Sequence, residues 1–179
     1  GFTITARTKS TRLKKKVLRK VGNYLVIEHV INRLKKKFHK NKICIITSKF
    51  NSDLPLVDIA KKNKIKFYTG YPLDVMSRIY YAAKKNDWDY ILSTTGDNPF
   101  VDPLLIQELY SFHISNSDLD YSWNHAPRST YYWPDGFGAE CFTRSALKRA
   151  DKLVLSKEEL EHVTLCFYTR NVPIFVKYK

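Results

Sequence analysis

The chain has 179 residues and a formal net charge of +14, from 31 Lys and Arg residues against 17 Asp and Glu residues. Hydrophobic residues make up 44% of it and charged residues 27%, which excludes an intrinsically disordered chain, and the length suits one domain with a sizeable core. The basic excess favours an anionic partner such as a nucleotide, a nucleic acid, an acidic sugar or an anionic lipid surface, although a solvated Lys-rich face would give the same composition.

Strands and helices are predicted to alternate along the chain. Residues 2–6 alternate and are β-prone, and residues 42–47 form a β-branched apolar run typical of a strand buried on both faces. Apolar residues at spacings of three and four predict an amphipathic helix over residues 24–39, and Asp53 is the predicted N-cap of a second helix. Helices are predicted at 53–63, 74–85, 102–115, 144–152 and 156–168, and strands at 65–68, 89–93, 120–123, 139–142 and 174–176.

This alternation predicts a three-layer α/β domain with a mostly parallel sheet, covering residues 1–179 without a linker or an internal repeat. In such sheets, ligands bind outside the carboxyl ends of the strands. We therefore expect the basic loop of residues 7–16 and the loop of residues 95–99 to lie at the same edge.

The basic loop (residues 7–16) combines arginines, lysines and hydroxyl side chains directly after the first strand. Forked guanidinium donors match phosphate oxygens, lysine adds point charge, and backbone N–H groups complete a cradle for a polyphosphate. The loop lacks the glycines of a P-loop or of a dinucleotide fingerprint. A solvated basic loop is the alternative interpretation.

The second candidate site is Thr95-Gly96-Asp97-Asn98-Pro99. An acidic residue just past a buried strand, on a turn set by Gly96 and Pro99, is well placed to hold Mg²⁺, which takes oxygen ligands and shares them with substrate phosphates. A turn in which Asp97 caps a backbone N–H is the alternative. An anion cradle at the same sheet edge favours the metal.

A third segment, residues 125–140, is rich in aromatic residues, with Trp123 just before it, and contains the turn Pro134-Asp135-Gly136 before a strand that carries Glu140. Aromatic rings beside an arginine can face a sugar or a base, and they can equally fill the end of a small sheet. The residues of this cluster are Trp123, His125, Arg128, Tyr131, Tyr132 and Trp133.

In order and spacing, these segments resemble the cytidylyltransferases that activate acidic sugars: 3-deoxy-manno-octulosonate and acylneuraminate cytidylyltransferases and, most closely, the spore coat polysaccharide biosynthesis protein F group. The resemblance covers nearly the whole chain. Its motifs are Ala6-Arg7-x-x-Ser10-Thr11-Arg12-Leu13-x-x-Lys16, Glu28-His29-Val30-Ile31-x-Arg33-Leu34, Asp74-Val75-x-x-Arg78-x-Tyr80-x-Ala82-Ala83-Lys84, Thr95-Gly96-Asp97-x-Pro99-x-x-Asp102-Pro103, Tyr132-x-Pro134-Asp135-Gly136 and Glu161-His162-Val163-Thr164.

The resemblance implies a three-layer α/β/α nucleotide-diphospho-sugar transferase fold of Rossmann-like type. It also implies Mg²⁺-dependent transfer of CMP from CTP to a hydroxyl of an acidic sugar in surface polysaccharide biosynthesis, with release of pyrophosphate, and a homodimer. Arg12, Lys16 and Asp97 would be catalytic, with Asp97 as the metal ligand. The nucleotide-binding residues would be Ala6, Arg7, Ser10, Thr11, Arg12, Lys16, Arg78 and Gly96, and the sugar-binding residues Asn124, Arg128, Tyr132, Asp135 and Glu140.

Three departures from the family pattern stand out. Lys14-Lys15 replaces the usual Pro-Gly of the basic loop, and Gly138 stands where the spore coat group usually has an acidic residue, which leaves Glu140 or Asp135 as its substitute. The family usually continues to an Asp-containing turn that supplies a second metal ligand, beyond Lys179. Either the chain is a fragment truncated at the C-terminus, or it is incomplete as a catalyst. Because it begins with Gly1 and not with Met, we also expect that it lacks the initiator region.

Three isolated cysteines, Cys44, Cys141 and Cys166, give neither a disulfide framework nor a zinc motif, and the histidines lack ligand spacing. No apolar stretch approaches the roughly 18 to 20 residues of a membrane span, and no signal peptide is visible, so we expect a cytoplasmic protein. The alternatives to the cytidylyltransferase are a glycosyltransferase-like enzyme that uses a preformed nucleotide-sugar, a catalytically inactive nucleotide-sugar-binding relative, and a basic nucleic-acid-binding module. The nucleic-acid-binding module is disfavoured, because the aromatic residues of this chain do not alternate with basic residues along a strand face, as a platform for stacking bases would require.

Overall fold

The computed structural model describes residues 1–10, 13–124, 136–153, 156, 159, 165–169 and 176–178. The strands are β1 (Phe2–Thr5), β2 (Lys20–Val21), β3 (Tyr24–Leu25), β4 (Ile43–Ser48), β5 (Lys66–Gly70), β6 (Tyr90–Thr95), β7 (Tyr121–Trp123), β8 (Glu140–Thr143) and β9 (Val176–Tyr178). The α-helices are α1 (Val26–Leu34), α2 (Leu54–Lys62), α3 (Val75–Asn86), α4 (Pro103–Ser115), α5 (Arg144–Ala150) and α6 (Cys166–Thr169). Short 3₁₀ turns cover Lys16–Leu18, Lys40–Lys42 and Asn51–Asp53.

The central sheet has seven strands in the order β5-β4-β1-β6-β8-β7-β9. The pairs from β5 to β6 and the pair of β7 with β9 are parallel, whereas β8 runs antiparallel to both of its neighbours. In register, Ile4 of β1 lies between Ile45 and Thr94. The predicted mostly parallel mixed sheet is therefore confirmed.

Alternate residues of the buried strands enter two separate cores. Ile4, Ile45 and Leu92 pack with α1, α2 and α4 on one face of the sheet. Ile46 and Ile91 pack with α3 and α5 on the other face. This alternation follows from the two-residue period of a strand, and it gives the three-layer α/β/α arrangement that the sequence predicts.

Two acidic caps determine where α3 and α4 begin. The Asp74 carboxylate accepts a hydrogen bond of 2.8 Å from the Ser77 backbone N–H, and the Asp102 carboxylate accepts one of 2.8 Å from the Leu104 N–H. Each cap satisfies an N–H group that has no partner within the helix. Because these helices follow β5 and β6, both begin at the carboxyl edge of the sheet.

The helix predicted over residues 24–39 is wrong at both ends. Tyr24 belongs to β3, which pairs with β2 in a two-stranded hairpin whose turn contains Gly22 at φ 59°. The helix ends at Leu34, and Phe38 reaches the core from the turn that follows. The apolar spacing therefore extends beyond the helix at both ends. At the start, the turn at Gly22 places Tyr24 in a hairpin, and at the end the lysine run at residues 35–37 follows the last helical residue.

Two predicted elements fall largely outside the described residues. Of the helix predicted at 156–168, the structure describes Ser156, Glu159 and residues 165–168, and α6 begins at Cys166. Of the strand predicted at 174–176, the structure describes only Val176, the first residue of β9. Among the described residues, no helix is both long enough and apolar enough to cross a membrane.

Candidate active site

The carboxyl ends of β1 and β6 bring the basic loop and the Asp97 loop together. The Gly96 N–H donates to the Thr5 carbonyl at 2.8 Å, and the Ala6 N–H donates to the Ile46 carbonyl at 3.0 Å. A Cβ atom on Gly96 would lie 2.9 Å from the Ala6 Cβ and 3.3 Å from Ile27 Cδ1. Glycine is therefore required at residue 96 for this close approach.

Lys16 and Asp97 form an ion pair across this edge. Lys16 opens the 3₁₀ turn that follows Lys15, whose φ of 53° turns the chain back towards the sheet. Burial opposes ionisation of Asp97, but hydrogen bonds from the side chains of Lys16 and Thr95 outweigh it and hold the pKa of the carboxyl below its usual range. Asp97 is thus a carboxylate at neutral pH, and its side chain is 29% exposed.

Asp97 is the candidate ligand for a divalent cation. A partly exposed, ionised carboxylate beside a basic loop suits Mg²⁺ or Mn²⁺, which take oxygen ligands from protein, phosphate and water. Among the described residues, no group of three or more His, Cys, Asp or Glu side chains is arranged to hold a metal.

In the basic loop, Arg7 is exposed and Ser10 is half-buried. Thr11 and Arg12, the other residues of the predicted cradle, lie outside the described residues.

Arg78, a predicted nucleotide-binding residue, is buried. Its side chain is on α3, only 4% of the residue is exposed, and its Nη1 donates to the Pro72 carbonyl at 3.4 Å. Burial lowers the pKa of the guanidinium, whereas the charges of Asp53 and Asp74 raise it. The structure thus places Arg78 within the protein, beneath the open edge.

Asp53 is the N-cap residue of α2, as predicted, but its side chain does not cap the helix. Asp53 precedes α2 but makes no side-chain capping bond to it, because its carboxylate instead binds Thr8 of the basic loop and Ser48 of β4. Sequence reasoning missed this connection, because nothing in the local pattern links residues 45 positions apart. The sequence shows only a threonine between two basic residues, Arg7 and Lys9, and its burial is visible only in the structure.

The side chain of Asn124, one of the predicted sugar-binding residues, is hydrogen-bonded to backbone groups of the protein. Its Nδ2 donates to the Leu105 carbonyl at 2.8 Å, and its Oδ1 accepts from the Ala139 N–H at 2.9 Å. A Cβ atom on Gly138 would lie 2.3 Å from the Asn124 carbonyl oxygen, so the acidic residue usual in the spore coat group does not fit here. With its amide bound to backbone and only 6% of the residue exposed, Asn124 supports the site's backbone instead of facing a substrate.

Glu140 begins β8 next to β6, and its Oε1 accepts a hydrogen bond of 2.9 Å from the Tyr121 hydroxyl. It is half-buried at the same edge of the sheet as Asp97. The other predicted sugar-binding residues, Arg128, Tyr132 and Asp135, lie outside the described residues.

A stacked pair of aromatic rings was missed by the sequence reasoning. The Phe100 and Phe137 rings lie 6.1 Å apart at an interplanar angle of 18°, and Phe100 is 60% exposed. The Asp102 N–H donates to the Phe137 carbonyl at 2.8 Å. This contact joins the loop after Asp97 to the end of the predicted sugar-binding segment.

Taken together, these contacts place cations, a carboxylate and an aromatic pair around one edge of a parallel sheet. The profile of a family described as cytidylyltransferase matches residues 2–175. The chain belongs to the cytidylyltransferase family. The family resemblance drawn from the motifs is therefore confirmed.

Known relatives of the chain share about a third of its residues. It is 34% identical over 165 residues to an uncharacterized protein of Methanocaldococcus jannaschii, covering 92% of this chain but 65% of that protein. It is 30% identical over 178 residues to the spore coat polysaccharide biosynthesis protein SpsF of Bacillus subtilis, covering 96% and 70%. It is 34% identical over 118 residues to the 3-deoxy-manno-octulosonate cytidylyltransferase of Elusimicrobium minutum, covering 65% and 46%.

Solved structures confirm the fold. A cytidylyltransferase from Leptospira borgpetersenii matches with a TM-score of 0.90 and 27% identity over all of this chain and 74% of that one. CMP:2-keto-3-deoxy-manno-octonic acid synthetase complexed with CTP matches with a TM-score of 0.68 at 16% identity, covering 99% and 89%. A Mycobacterium tuberculosis protein in complex with manganese matches with a TM-score of 0.66 at 12% identity, covering 99% and 85%.

Proposed function

We propose that the protein transfers CMP from CTP to a hydroxyl of an acidic sugar, with release of pyrophosphate, for the synthesis of a surface polysaccharide. The observation that carries this proposal is the meeting of Lys16 with the ionised Asp97 where the basic loop closes over the carboxyl edge of the sheet. A cation-rich loop facing one carboxylate suits a triphosphate that arrives with a divalent ion.

The basic loop holds the triphosphate in this proposal. Arg7, Ser10, Thr11, Arg12 and Lys16 are its proposed phosphate ligands. Asp97 holds Mg²⁺, which supplies charge neutralisation to the phosphate oxygens when it is bound. Ala6 and Gly96 contribute the close backbone approach that brings these groups to one place.

In the chemical step, the sugar hydroxyl oxygen bonds to the α-phosphorus of CTP. The bond from the α-phosphorus to the oxygen that bridges it to the β-phosphorus breaks, so that pyrophosphate leaves and the hydroxyl proton passes to solvent. Arg12 and Lys16 neutralise the charge that develops on the leaving group. Catalysis by such a site consists mostly of positioning and electrostatic stabilisation.

Cytosine and an acidic sugar are favoured over other substrates by the relatives. The Elusimicrobium relative is a 3-deoxy-manno-octulosonate cytidylyltransferase, and the CMP:2-keto-3-deoxy-manno-octonic acid synthetase was solved in complex with CTP. The Mycobacterium neighbour solved with manganese supports a divalent cation. Arg128, Tyr132, Asp135 and Glu140 are the proposed sugar ligands, whereas Asn124 supports the site as described above.

Pyrophosphate release is the direct test. The protein is incubated with CTP, Mg²⁺ and a panel of sugar acids, and both pyrophosphate and the CMP-sugar are quantified. We expect equal amounts of the two products with at least one sugar acid. Absence of turnover with every nucleoside triphosphate and every sugar acid would refute the proposal.

The same assay separates the alternatives. A transferase that uses a preformed nucleotide-sugar releases a nucleotide and no pyrophosphate, and an inactive relative binds CTP without turnover. A nucleic-acid-binding module would show duplex affinity that falls steeply with salt. The homodimer, implied by the resemblance alone, is tested by sedimentation velocity.

A further inference from the structure

We infer that Asp53 is a positioning residue that holds the basic loop in its phosphate-binding arrangement through Thr8. This inference rests on the proposed function, because it explains how Lys16, one of the proposed phosphate ligands, is kept in place before a nucleotide arrives.

Asp53 accepts hydrogen bonds from both donors of one loop residue, Thr8. Its Oδ1 accepts hydrogen bonds from the Thr8 backbone N–H at 2.7 Å and from the Thr8 hydroxyl at 2.7 Å. Its Oδ2 accepts from the Ser48 hydroxyl at 2.5 Å, which ties the carboxylate to the end of β4. Hydrogen bonds to an ionised acceptor are the stronger class, so the start of the loop is held firmly to the sheet.

Thr8 also contacts the far end of the loop through its backbone. Its carbonyl accepts a hydrogen bond of 3.2 Å from the Lys15 N–H, which joins residues eight and fifteen. The next residue is Lys16, the partner of Asp97. Both ends of the loop are thus fixed to Asp53 through Thr8.

The buried position of this contact strengthens it. Asp53 is 2% exposed and Thr8 4% exposed, so water does not compete for their hydrogen bonds. Burial opposes ionisation of Asp53, but the hydrogen bonds from Ser48 and Thr8 outweigh it and hold the pKa of the carboxyl below its usual range. The charge of Asp53 in turn raises the pKa of the buried Arg78 guanidinium, against the larger lowering effect of burial.

Little of this arrangement serves the helix that Asp53 precedes. Its carboxylate makes no capping bond to α2, and α2 is held in place by Leu56, Ile59 and Ala60 in the core. The carboxylate therefore acts on the loop. Fixing the loop before binding lowers the ordering cost that a nucleotide would otherwise meet, which raises affinity without a direct contact.

The test compares Asp53→Asn and Thr8→Val with the conservative variant Thr8→Ser. We expect Asp53→Asn to weaken binding of CTP with Mg²⁺ in calorimetry by about tenfold, as for a lost charged hydrogen bond, and Thr8→Val by severalfold. Thr8→Ser keeps the hydroxyl and should bind as the wild type does. The double variant should lose no more affinity than Asp53→Asn alone, because both substitutions break one connection.

Asp120→Asn is the matched control. Asp120 also accepts from a threonine hydroxyl, that of Thr143 at 3.0 Å, and pairs with an arginine, Arg149. It precedes β7 and so lies at the opposite edge of the sheet. This variant should lose stability and keep the wild-type affinity for CTP.

Backbone hydrogen exchange gives a readout independent of the nucleotide. The Lys15 amide should exchange at least tenfold faster in Thr8→Val and Asp53→Asn, while the β4 amides stay protected. Unchanged affinity in both variants, or unchanged exchange at Lys15, would overturn the inference. If the wild type binds no nucleoside triphosphate, the proposed function fails, and the exchange experiment still decides whether Asp53 orders the loop.

Discussion

The ion pair between Lys16 and Asp97 makes a prediction about metal binding that is separate from turnover. Lys16→Met removes the cation that contacts the Asp97 carboxylate. A metal ion that binds this carboxylate must first displace the ammonium group of Lys16. The variant should therefore bind Mn²⁺ more tightly than the wild type when no nucleotide is present, whereas Asp97→Asn should lose this binding.

The structure sets the size of the effect. The side chains of Lys16 and Asp97 are 36% and 29% exposed, which places the pair between a surface pair and a buried one. Such a pair is worth about 1 kcal/mol, which corresponds to roughly fivefold in Mn²⁺ affinity. In turnover the order reverses, since losing a group that neutralises charge in the transition state lowers kcat by about 10²- to 10³-fold.

Electron paramagnetic resonance of free Mn²⁺ measures this affinity directly. Lys62→Met is the matched control, because Lys62 pairs with Glu28 at 3.2 Å, outside the proposed site. This control should bind Mn²⁺ as the wild type does. If Lys16→Met binds Mn²⁺ with unchanged or weaker affinity, Lys16 does not compete with the cation for Asp97, and the reasoning fails.

Three further predictions concern stability and are checked by urea unfolding. Gly96→Ala should destabilise the protein by about 1–3 kcal/mol, because its Cβ would lie 2.9 Å from the Ala6 Cβ, and an unchanged unfolding midpoint would contradict this crowding. Asn124→Ala should cost about 1–3 kcal/mol, because it leaves the Leu105 carbonyl and the Ala139 N–H unpaired; a loss of sugar affinity with no loss of stability would instead restore Asn124 as a ligand. Burial lowers the pKa of His113 from 6.5 to about 4, against a weaker opposing effect of Asp120. As the pH falls, the imidazole is protonated in the unfolded chain before it is protonated in the folded protein. The free energy of unfolding should therefore fall by about 2 kcal/mol between pH 7 and pH 5. His113→Gln should remove most of this pH dependence, and a dependence that persists would contradict the role of the buried imidazole.

Elements with a strong local pattern could be predicted from the sequence. The β-branched run at Ile43–Ser48 and the apolar period of Val75–Asn86 identify a strand and a helix without reference to the rest of the chain. The hairpin of β2 and β3 could not be predicted, because each strand has only two residues and no alternation to detect. Strand order was also beyond reach, since nothing local places the antiparallel β8 between β6 and β7.

Some features of the candidate site could also be predicted from the sequence, and others could not. The loops that contain Lys16 and Asp97 follow strands that end at one edge, so topology alone predicts that the two loops share this edge. The positions of Asp53 and Asn124 depend on contacts with residues distant in the chain, and each carries a side chain that a loop or a cap would equally explain. The roles of Asp53 and Asn124 follow only from the folded structure, which brings them next to their hydrogen-bond partners.

The central claim is that the basic loop and Asp97 form one binding site for a nucleoside triphosphate and a divalent cation. Calorimetry of CTP with and without Mg²⁺, on the wild type and on Asp97→Ala, tests it most directly. We expect the wild type to bind CTP at least tenfold more tightly with Mg²⁺ than without it, and Asp97→Ala to lose that dependence. Unchanged Mg²⁺-dependent binding in Asp97→Ala would contradict the claim.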